Sequence, residues 1–455
     1  MRGDGSANDP RKALVVGLGV SGQAVCELLL ACGMDVAATD MRARDAFGDS
    51  LDGLEAKGCR LRLGEHRLED FLGADQIIVS PGVPLEIEPL REAFRRGIEI
   101  VGELEWAWRR LDGKLPVVAV SGTNGKTTTT SLLGEIFKAA GKRVFVGGNI
   151  GTPLSRWLLR GEAADLLVLE VSSFQLDTAR DFCPDVGVLL NVTEDHLDRY
   201  ADFEAYIRSK FSLFARQNGT QTAIVNADDP VCRDRLSTVA GRILLYSRGE
   251  ASASACIDDG RAVVRMPGCE PFALSLDRTP LKGVHNEENI LAAALAAASM
   301  DVPADVVQSV IDTYGGLPHR VEWVRGLRGI DFYDDSKATN VGAVVKALEN
   351  FDRPVLLLLG GRDKLGSYEP LTRPLRERGK EAFVFGEAAP RLLDALAGVL
   401  PVRAFGSLDP AFHAAVSAAQ SGDVVLLSPA CSSFDQYSSY AERGDHFKRL
   451  VAQLR

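Results

Sequence analysis

The stretch SGTNGKT, from Ser121 to Thr127, constrains the fold more than any other part of the sequence. It follows the apolar run VVAV and precedes TTTSLLGEIFKAAG, whose apolar spacing predicts a helix. A strand, a glycine-rich turn, Lys-Thr and a helix are the context of a phosphate loop, in which backbone N–H groups and a helix N-terminus surround an anion. The sequence therefore predicts an α/β module that binds a nucleotide here.

Lys126 of this loop can reach β- and γ-phosphate oxygens, and the Thr127 hydroxyl can bind Mg²⁺. Phosphate loops usually carry glycine five residues before the second glycine, where this chain has Val120, and Gly122 can supply the flexibility instead. A glycine turn followed by a surface lysine is the alternative interpretation. The residues expected at the phosphates are Gly122, Thr123, Asn124, Gly125, Lys126, Thr127 and Thr128.

A second glycine loop, GLGVSG from Gly17 to Gly22, follows KALVV and precedes the helix-like segment QAVCELLLACG. Asp40 ends the next predicted strand, about twenty residues later, as in a Rossmann-type nucleotide-binding unit. The pattern suggests NAD, although the diphosphate of any nucleotide can rest on such a turn, and Asp40 can bond a ribose or a base. A tight strand–helix turn without a ligand is the alternative.

Metal-binding candidates follow two further predicted strands. Glu170 ends the apolar run of DLLVLEVSS, where its carboxylate could coordinate Mg²⁺, or could simply be solvated. His196 follows DVGVLLNVT in a chain with six histidines, and a hydrogen-bonded structural histidine is the alternative. Lys210 lies in FEAYIRSKFSLF, a predicted helix, where an exposed lysine is the default expectation.

Short apolar runs alternate with helical patterns along nearly all of the 455 residues, which predicts α/β domains with mainly parallel sheets. LDGKLP and TYGGLPHR have the composition of linkers. We therefore expect three domains, over residues 1–112, 113–317 and 318–455.

Composition excludes several classes of protein. A net charge of −10 and a pI of about 5.3 argue against binding to nucleic acid. Eight scattered cysteines include no CxxC pair, which argues against a metal ribbon and indicates reduced thiols. The polar N-terminus lacks the apolar core of a signal peptide, and no apolar run approaches the ~18 residues of a membrane span. We expect a soluble cytoplasmic protein without a membrane partner.

Several motifs resemble those of the Mur ligases of peptidoglycan synthesis, in order and at similar spacing, from about residue 12 to residue 450. They are SGTNGKTTT, GGNIGTP, LEVSSFQL, NVTEDHLDRY, HNEENILAA, GLPHRVE and DDSKATN. Within that family, DDSKATN and SPACSSFDQY are similar to the members that add D-glutamate. The resemblance implies an N-terminal Rossmann-like domain, a central P-loop ATPase-like domain with a parallel or mixed sheet, and a C-terminal Rossmann-like domain.

The implied reaction joins D-glutamate to UDP-N-acetylmuramoyl-L-alanine and converts ATP to ADP and phosphate. The first glycine loop would then hold the UDP of the substrate, and the second would hold ATP. Because a carboxylate is a poor acyl donor, the γ-phosphate first makes an acyl phosphate, which the D-glutamate amine attacks. Both steps gather negative charge, so positioning and cations are expected to carry catalysis. We also expect two Mg²⁺ sites, a monomer and domain closure.

The resemblance also assigns roles to individual positions. Phosphate and metal contacts are implied at Lys126, Thr127, Glu170 and His196. Lys210 falls on a lysine that CO₂ carbamylates in the family, which would make it anionic near Mg²⁺. Further ATP contacts are implied at Asn289 for adenine, Asp335 for ribose and Arg320 for the γ-phosphate.

The remaining implied positions bind the two other substrates. Those for the UDP-linked substrate are Leu18, Val20, Ser21, Asp40, Arg42, Gly82 and Asn149. Those for D-glutamate are Thr339, Lys364, Ser433, Phe434 and Tyr440. Lys337 is implied for D-glutamate or for the acyl phosphate. A dicarboxylate needs two separate groups of donors, and this part of the sequence offers both.

Three alternatives stay open. An NAD-dependent oxidoreductase would explain GLGVSG but would leave SGTNGKT, Glu170 and DDSKATN without a role. A nucleotide-binding regulatory protein would hold similar ligands without amide chemistry. A Mur-type ligase that adds another amino acid would share the framework and differ in the amino-acid pocket.

Overall fold

The computed structural model describes residues 12–111, 115–196, 199–268, 270–281, 283–316, 318–363 and 367–455. The chain forms two compact units. One contains the residues up to Arg278 together with Glu288–Asp312, and the other contains Thr279–Glu287 and the residues from Thr313 onward. The first unit holds two β-sheets and the second unit holds one.

The first sheet consists of five parallel strands. They are β1 (Lys12–Val16), β2 (Asp35–Asp40), β3 (Arg60–Leu63), β4 (Gln76–Val79) and β5 (Glu99–Gly102), in the order β3-β2-β1-β4-β5. The helices are α1 (Val20–Ala31), α2 (Asp52–Ala56), α3 (Leu68–Leu72), α4 (Glu88–Arg95) and α5 (Glu103–Trp108), with a 3₁₀ segment at Arg44–Leu51. Parallel strands need crossover connections, so helices cover the sheet and every residue of β4 is buried.

The turn between β1 and α1 depends on two glycines. Gly17 has a φ of +89°, a conformation that favours glycine. A side chain at Gly22 would lie 1.9 Å from the Gly17 carbonyl oxygen, which also accepts a 2.6 Å hydrogen bond from the Ser80 hydroxyl. This close approach places the N-terminus of α1 at the carboxyl end of the sheet, where Rossmann-type units bind nucleotides.

The second sheet has nine strands. They are β6 (Val117–Ser121), β7 (Val144–Gly148), β8 (Leu166–Glu170), β9 (Val186–Leu189), β10 (Thr222–Asn226), β11 (Arg242–Ser247), β12 (Ala255–Asp258), β13 (Arg261–Val264) and β14 (Phe272–Ser275). Their order is β14-β13-β12-β11-β10-β9-β6-β8-β7, parallel from β7 to β12 and antiparallel from β12 to β14. Strand β6 therefore lies between β8 and β9, so the phosphate loop leaves the sheet beside the ends of both.

Helices on the faces of this sheet include the one that follows the phosphate loop. They are α6 (Lys126–Ala139), α7 (Leu154–Arg160), α8 (Ser173–Leu176), α9 (Phe203–Phe211), α10 (Pro230–Asp234), α11 (Val284–Ala298) and α12 (Ala304–Ile311). Short 3₁₀ segments occur at Ser212–Phe214 and Leu236–Thr238. The buried core of this part contains leucine and valine residues from β6, β8, β9 and β10, together with aromatic residues from β7, α7 and α9.

The third sheet, in the second unit, has six strands. They are β15 (Glu322–Leu327), β16 (Ile330–Asp334), β17 (Val355–Gly360), β18 (Gly379–Phe385), β19 (Val402–Phe405) and β20 (Val424–Ala430). The helices are α13 (Val341–Leu348), α14 (Thr372–Arg378), α15 (Ala389–Ala395), α16 (Leu408–Ala418) and α17 (Tyr440–Gln453), with a 3₁₀ segment at Glu369–Leu371. The order is β15-β16-β20-β17-β18-β19, with β15 antiparallel to β16 and the other pairs parallel. The loops after β16, β20 and β17 thus leave the middle of the sheet together.

Helix α5 joins the two sheets of the first unit. The Glu103 carboxylate accepts a 2.7 Å hydrogen bond from the Ser155 N–H at the start of α7. Glu105 accepts hydrogen bonds from the N–H groups of Asp181 and Phe182. Burial raises the pKa of both glutamates. The connection is therefore made of buried polar bonds, which tolerate little displacement.

The predicted fold class is confirmed, because the chain is α/β with three sheets and parallel strands flank both glycine loops. The motif HNEENILAA lies in α11. The apolar pattern did not predict the antiparallel strands β13, β14 and β15, which are short and partly exposed. The domain boundaries stay predictions, since residues 112 and 317 lie outside the described residues. Within the described ranges, no helix combines the length and apolar character that crossing a bilayer would require.

Gly22→Ala is expected to lower the free energy of unfolding, because the new methyl group would meet the Gly17 oxygen at 1.9 Å and the Ser80 hydroxyl at 2.7 Å. Overpacking of this kind costs about 1–3 kcal/mol. Gly19→Ala is the matched control, since a side chain there meets no atom within 4 Å and the φ of −69° suits any residue. Equal urea unfolding midpoints for the two variants would contradict the prediction.

Candidate active site

The phosphate loop connects β6 to α6. Gly122 and Gly125 have φ angles of +148° and +85°, and Gly125 immediately precedes the helix. A side chain at Gly125 would lie 2.5 Å from the Asn289 amide oxygen. The backbone therefore requires these two glycines, whereas Val120, at the usual first glycine position, is a buried residue of β6.

Predicted ATP residues gather at this loop. Lys126, Thr127 and Thr128 form the first turn of α6, and Thr128 is buried. Asn289 of α11 is also buried, and its amide oxygen accepts a 3.1 Å hydrogen bond from the Thr129 hydroxyl. The structure thus brings the predicted adenine contact beside the predicted phosphate contacts.

The segment that follows β9 holds the loop from one side. Asn191 receives the N–H of Asn124 on its side-chain oxygen at 2.8 Å and donates its own amide N–H to the Asn124 carbonyl at 3.2 Å. The Asn191 carbonyl accepts the Thr123 N–H at 2.9 Å. The Thr123 hydroxyl bonds to the Thr193 carbonyl at 3.1 Å and accepts the Thr193 N–H at 3.0 Å. The loop conformation is therefore fixed by a partner segment as well as by its own glycines.

Two lysines donate to the same carbonyl group of the loop. The ammonium nitrogens of Lys126 and Lys210 each lie 2.8 Å from the Gly122 oxygen. Lys210 belongs to α9 and is 2 % exposed, so the expectation of a surface lysine is wrong. Burial, and then the charge of Lys126, lower the pKa of Lys210 well below its usual range. The amine is therefore neutral at a lower pH than an ordinary lysine.

Glu170, at the end of β8, presents an oxygen without a partner. Asn149 donates its side-chain amide to Glu170 Oε1 at 2.7 Å and its backbone N–H to the Glu170 carbonyl at 2.8 Å. Glu170 Oε2 is buried and has no hydrogen-bond partner in the part of the chain that the structure describes. Such an oxygen calls for an explanation, and carboxylates are preferred ligands of Mg²⁺. The residues present therefore fit a divalent cation.

Tyr206 is a shared neighbour of three predicted site residues. Its hydroxyl lies 3.1 Å from the Thr123 hydroxyl, its ring centroid lies 6.3 Å from that of His196, and Lys210 Nζ lies 5.3 Å from the same centroid. His196 has a φ of +55° and is partly exposed, and Asp195 Oδ2 lies 3.6 Å from its Nε2 atom. The negative charge of Asp195 raises the pKa of Lys210, which is opposite to the effect of burial. The predicted second-metal histidine thus lies near the buried lysine.

Most residues predicted for the UDP group surround the first glycine loop. Asp40 accepts the Leu18 N–H at 2.7 Å and pairs with the Arg42 guanidinium at 2.8 Å. Burial acts to raise the pKa of Asp40, but the hydrogen bonds from Arg42 and Leu18 outweigh it and leave the pKa below its usual value. Ser21 is half-buried and Val20 is 65 % exposed, both at the start of α1. The structure brings these five together.

Gly82 is exposed and lies in the turn after β4. The Arg199 guanidinium donates to the carbonyl groups of Gly82 and Val83, at 2.9 Å and 3.1 Å. The Arg199 N–H donates to the His196 carbonyl at 2.9 Å. One arginine thus ties the Gly82 turn to the turn that carries His196.

In the second unit, Asp335 follows β16 and is fully buried. Its carboxylate accepts the Ser428 hydroxyl at 2.7 Å and the Val321 N–H at 3.2 Å. Burial raises the pKa of Asp335 to about 7, and the Arg320 charge acts in the opposite direction. Within the described residues, Arg320 Nε has no hydrogen-bond partner. The predicted ribose and γ-phosphate contacts therefore lie close together.

Lys337 and Tyr440 are also brought together. The Lys337 ammonium lies 4.0 Å from the centroid of the Tyr440 ring, a cation–π contact. The Ser336 hydroxyl donates to the Tyr440 carbonyl at 2.8 Å. Thr339 is half-buried on the same loop as Lys337. This loop thus supplies a cation, a hydroxyl and an aromatic neighbour.

The other residues predicted for D-glutamate follow β20 and β17. Ser433 is buried, while Phe434 is 61 % exposed. Lys364, the predicted partner of one D-glutamate carboxylate, lies outside the described residues. The structure therefore describes four of the five positions predicted for D-glutamate. That they bind one ligand together stays a prediction.

Arg443, in α17, connects the three loops of this site. It is fully buried, and burial lowers its pKa to about 10. Its guanidinium donates to the hydroxyl and carbonyl groups of Ser336 and to the carbonyl groups of Gly360, Cys431 and Ser432, at 2.9 to 3.3 Å. These acceptors lie at the end of β17 or directly after β16 and β20, so one side chain holds the starts of all three loops.

One group of side chains has metal-ligand types but a different role. His319, Glu322 and Asp334 place ligand atoms within 4.8 Å of one another. The Lys448 ammonium, however, lies 2.6 Å from Glu322, and His319 Nδ1 lies 2.6 Å from Asp334. A protein cation and a hydrogen bond already satisfy these carboxylates, so the group is structural.

Sequence reasoning missed Asn191, Tyr206 and Arg443. Tyr206 precedes Lys210 by four residues on one helix, a spacing that places both side chains on one face. Arg443 lies one helical turn after Tyr440, which could have drawn attention to it. Asn191 contacts a residue 67 positions away, so no local pattern indicates its role.

Three family descriptions match successive parts of the chain. Residues 11–102 match "Mur ligase MurD-like, N-terminal domain", residues 120–297 match "Mur ligase middle domain", and residues 319–431 match "Mur ligase, glutamate ligase domain". The matched parts contain the first glycine loop, the phosphate loop and the third sheet, respectively.

Curated relatives are similar over nearly the whole length. The proteins named UDP-N-acetylmuramoylalanine--D-glutamate ligase from Desulfosudis oleivorans and Geotalea uraniireducens are both 44 % identical to the chain over 98 % of it, and the matches cover 97 % and 98 % of those proteins. The protein of the same name from Acidobacterium capsulatum is 42 % identical over 97 % of the chain and 96 % of that protein.

Solved structures are similar at lower identity. A pseudomurein peptide ligase type C from Methanothermus fervidus has a TM-score of 0.61 at 19 % identity and covers 98 % of this chain and 100 % of that one. A UDP-N-acetylmuramate-alanine ligase from Thermotoga maritima has a TM-score of 0.60 at 17 % identity, with the same coverage of both chains. At these identities the likeness concerns the fold alone.

Asp335→Asn is expected to change how stability depends on pH. The pKa of about 7 in the folded chain exceeds the ordinary value of 3.8, so the folded state binds the proton more tightly. The resulting stability is full below about pH 4 and is lost as the pH rises to about 7. Without this titration, the free energy of unfolding should change less between pH 4 and pH 7. The difference from the unchanged chain should be at most about 4 kcal/mol.

Urea unfolding at successive pH values measures this effect. Asp394→Asn, at an exposed position of α15, is the matched control and should follow the unchanged chain. If Asp335→Asn also follows the unchanged chain from pH 4 to 7, the burial argument for Asp335 is wrong.

Proposed function

The chain belongs to the Mur ligase family, and from this premise we propose that it joins D-glutamate to UDP-N-acetylmuramoyl-L-alanine at the expense of ATP. The other products are ADP and phosphate. One observation carries the proposal: two lysines lie at the phosphate loop, near a buried carboxylate with an oxygen that has no hydrogen-bond partner among the described residues. This combination suits a nucleotide together with a divalent cation.

The chemistry needs an activated carboxylate. In the first step, a carboxylate oxygen of the L-alanyl group attacks the γ-phosphorus of ATP, the bond to the β-phosphate oxygen breaks, and an acyl phosphate forms. In the second step, the D-glutamate amine attacks the acyl carbon and phosphate leaves with its bonding electrons. The amine loses a proton as the amide forms. Positive groups that hold the phosphoryl oxygens stabilise both steps.

Lys126 is proposed to bind the β- and γ-phosphates. Its ammonium donates to the Gly122 and Thr123 carbonyl groups, at 2.8 Å each. Both acceptors are neutral, so phosphate oxygens would bind the ammonium more strongly. Asn289 is proposed at the adenine, and Arg320 and Asp335 at the γ-phosphate and the ribose.

Two Mg²⁺ ions would neutralise the phosphate oxygens when bound. Their proposed ligands are Thr127 and Glu170 for one ion, and His196 and carbamylated Lys210 for the other. A lysine must be neutral for its nitrogen to attack CO₂, and the lowered pKa of Lys210 favours this form. The new N–C bond yields a carbamate anion and releases a proton. Loss of the ammonium would also remove the repulsion between Lys210 and Lys126.

The first glycine loop is proposed to bind the UDP group, through the N-terminus of α1 and the Leu18, Val20 and Ser21 positions. Asp40 and Arg42 would contact the uridine, and Gly82 and Asn149 the remainder of the substrate. The hydrogen bond from Asn149 to Glu170 supports this assignment, because it connects a substrate residue with a metal ligand.

The second unit is proposed to bind D-glutamate. Thr339 and Lys364 would hold one carboxylate, and Ser433 with the N–H groups near Phe434 would hold the other. Tyr440 lies beside Lys337, which would contact D-glutamate or the acyl phosphate. The buried Arg443 supports the proposal, since it fixes the loops on which these residues lie.

We further propose that the enzyme is a cytoplasmic monomer whose partners are three small molecules. The net charge of −10 disfavours nucleic acid as a partner. The rival activities, another amino acid as substrate or nicotinamide chemistry, are outcomes of the assay below.

The assay measures phosphate release from Mg-ATP with purified protein. Release is expected only when UDP-N-acetylmuramoyl-L-alanine and D-glutamate are both present, because the acyl phosphate is consumed only by the amine. L-Alanine, L-lysine and diaminopimelate replace D-glutamate in parallel reactions and are expected to give background rates. Activity with one of these but not with D-glutamate would overturn the substrate assignment, and a nicotinamide absorbance change would revive the oxidoreductase.

Lys210→Ala tests the carbamate. We expect kcat to fall by about 10²-fold or more, since the cation that would neutralise the phosphoryl oxygens loses one anionic ligand. Acetate or formate should restore part of the rate by occupying the space of the carbamate. Lys138→Ala is the matched control, because Lys138 is an exposed lysine paired with Glu135, and it should retain full activity. Full activity of Lys210→Ala without added acid would rule out the proposed role.

A further inference from the structure

The phosphate loop is held through an amide pair that none of the assigned roles includes. Asn191 bonds to both polar atoms of the Asn124 backbone, accepting its N–H at 2.8 Å and donating to its carbonyl at 3.2 Å. We propose that Asn191 is a positioning residue for ATP: it sets the conformation of the loop and thereby selects which backbone N–H groups face the nucleotide. The inference rests on the proposed binding of ATP at this loop.

The geometry explains why an asparagine is needed. A side-chain amide carries one acceptor and two donors, and here it pairs with a peptide group as a neighbouring strand would. The Asn191 carbonyl takes the preceding N–H as well, that of Thr123, at 2.9 Å. Two successive N–H groups of the loop are thus directed at Asn191, so they cannot also bind phosphate. The N–H groups left for the anion are those at the N-terminus of α6, which have no acceptor within the helix.

This arrangement accounts for the departure of the loop from the usual glycine pattern. Val120 occupies the position of the first glycine and stays within β6, so the turn begins only at Gly122. A turn with fewer residues can form fewer hydrogen bonds within itself. The pairing with Asn191, outside the loop, supplies the missing restraint, and a restrained loop binds its ligand without a further loss of conformational entropy.

The same segment continues to His196. Thr193, two residues after Asn191, exchanges two hydrogen bonds with the Thr123 side chain. The loop that binds phosphate and the turn that carries the proposed second-metal ligand are therefore joined by a continuous set of hydrogen bonds. A change at Asn191 should affect nucleotide binding first and leave the UDP substrate, which binds at the first glycine loop, unaffected.

The experiment compares three variants of the full chain. Asn191→Leu removes both side-chain bonds without adding charge. Asn191→Asp keeps the acceptor but opposes an anionic oxygen to the Asn124 carbonyl. Asn218→Asp is the control for added charge: Asn218 is exposed and its side-chain oxygen only accepts hydrogen bonds, from Thr220, a role that aspartate retains. The readouts are ADP affinity by calorimetry with Mg²⁺ at neutral pH, the KM for each substrate, and the unfolding midpoint.

We expect Asn191→Leu to weaken ADP binding about tenfold, the effect of losing two ordinary hydrogen bonds. The KM for ATP should rise similarly, while the KM values for the UDP substrate and D-glutamate should stay unchanged. Asn191→Asp should weaken ADP binding further, because an anionic oxygen then faces the Asn124 carbonyl oxygen. Asn218→Asp should bind ADP normally.

Several results would overturn the inference. ADP affinity of Asn191→Leu equal to that of the unchanged chain would show that the pair does not position the loop. Equal losses for ADP and the UDP substrate, together with a lower unfolding midpoint, would show a general structural role instead. ADP affinity of Asn191→Asp equal to that of the unchanged chain would exclude the proposed role of the amide pair. If the unchanged chain fails to bind ADP, the proposed function fails and the inference fails with it.

Discussion

A single carbonyl oxygen, that of Gly122, receives two lysine ammonium groups, and the surrounding site follows from this concentration of charge. Since each nitrogen lies 2.8 Å from that oxygen, the two are at most twice that distance, 5.6 Å, apart. Like charges so close repel strongly where little water screens them. The loop can keep both only if anions approach or if one amine loses its proton. The carboxylate of Glu170 is such an anion, and the lowered pKa of Lys210 favours the loss of its proton. Phosphate and metal chemistry are therefore favoured at this place by the protein's own electrostatics.

The rest of the first unit keeps this charged loop in a fixed relation to the first glycine loop. Helix α7 receives the Glu103 carboxylate at its start and pairs with α1 through Arg156 and Glu27, at 3.1 Å. Helix α1 begins at the first glycine loop, and α7 follows the segment that carries Asn149. Helices α1, α5 and α7 therefore pack on one another and join the two sheets without a flexible connection. Such a link limits the loss of entropy when one substrate must be held near another.

The sequence was sufficient for the fold class and for the positions of both glycine loops, because strand–turn–helix units have strong local patterns. It could not predict β13 to β15, whose short, partly exposed strands lack such a pattern. For the site, local patterns correctly predicted that Lys126 begins a helix and that Glu170 ends a strand. The expectation of an exposed Lys210 failed because burial is decided by distant segments that pack on α9. Asn191 and Arg443 act through backbone carbonyl and N–H groups, which every residue has. No residue-type pattern can therefore indicate their partners, and only the folded chain does.

The guanidinium of Arg443 has a consequence for the amino-acid site beyond fixing its loops. All five of its hydrogen bonds go to uncharged oxygens, and within the described part of the chain no carboxylate forms an ion pair with it. Its positive charge thus lies beneath the ends of three central strands without a direct ion pair, and the carboxylates of Asp435 and Asp334 act on it from a distance. Mobile ions in solution cannot screen a charge that lies wholly inside the protein as they screen one at the surface. An acidic ligand at these strand ends would therefore feel the charge of Arg443 at high as well as at low salt concentration.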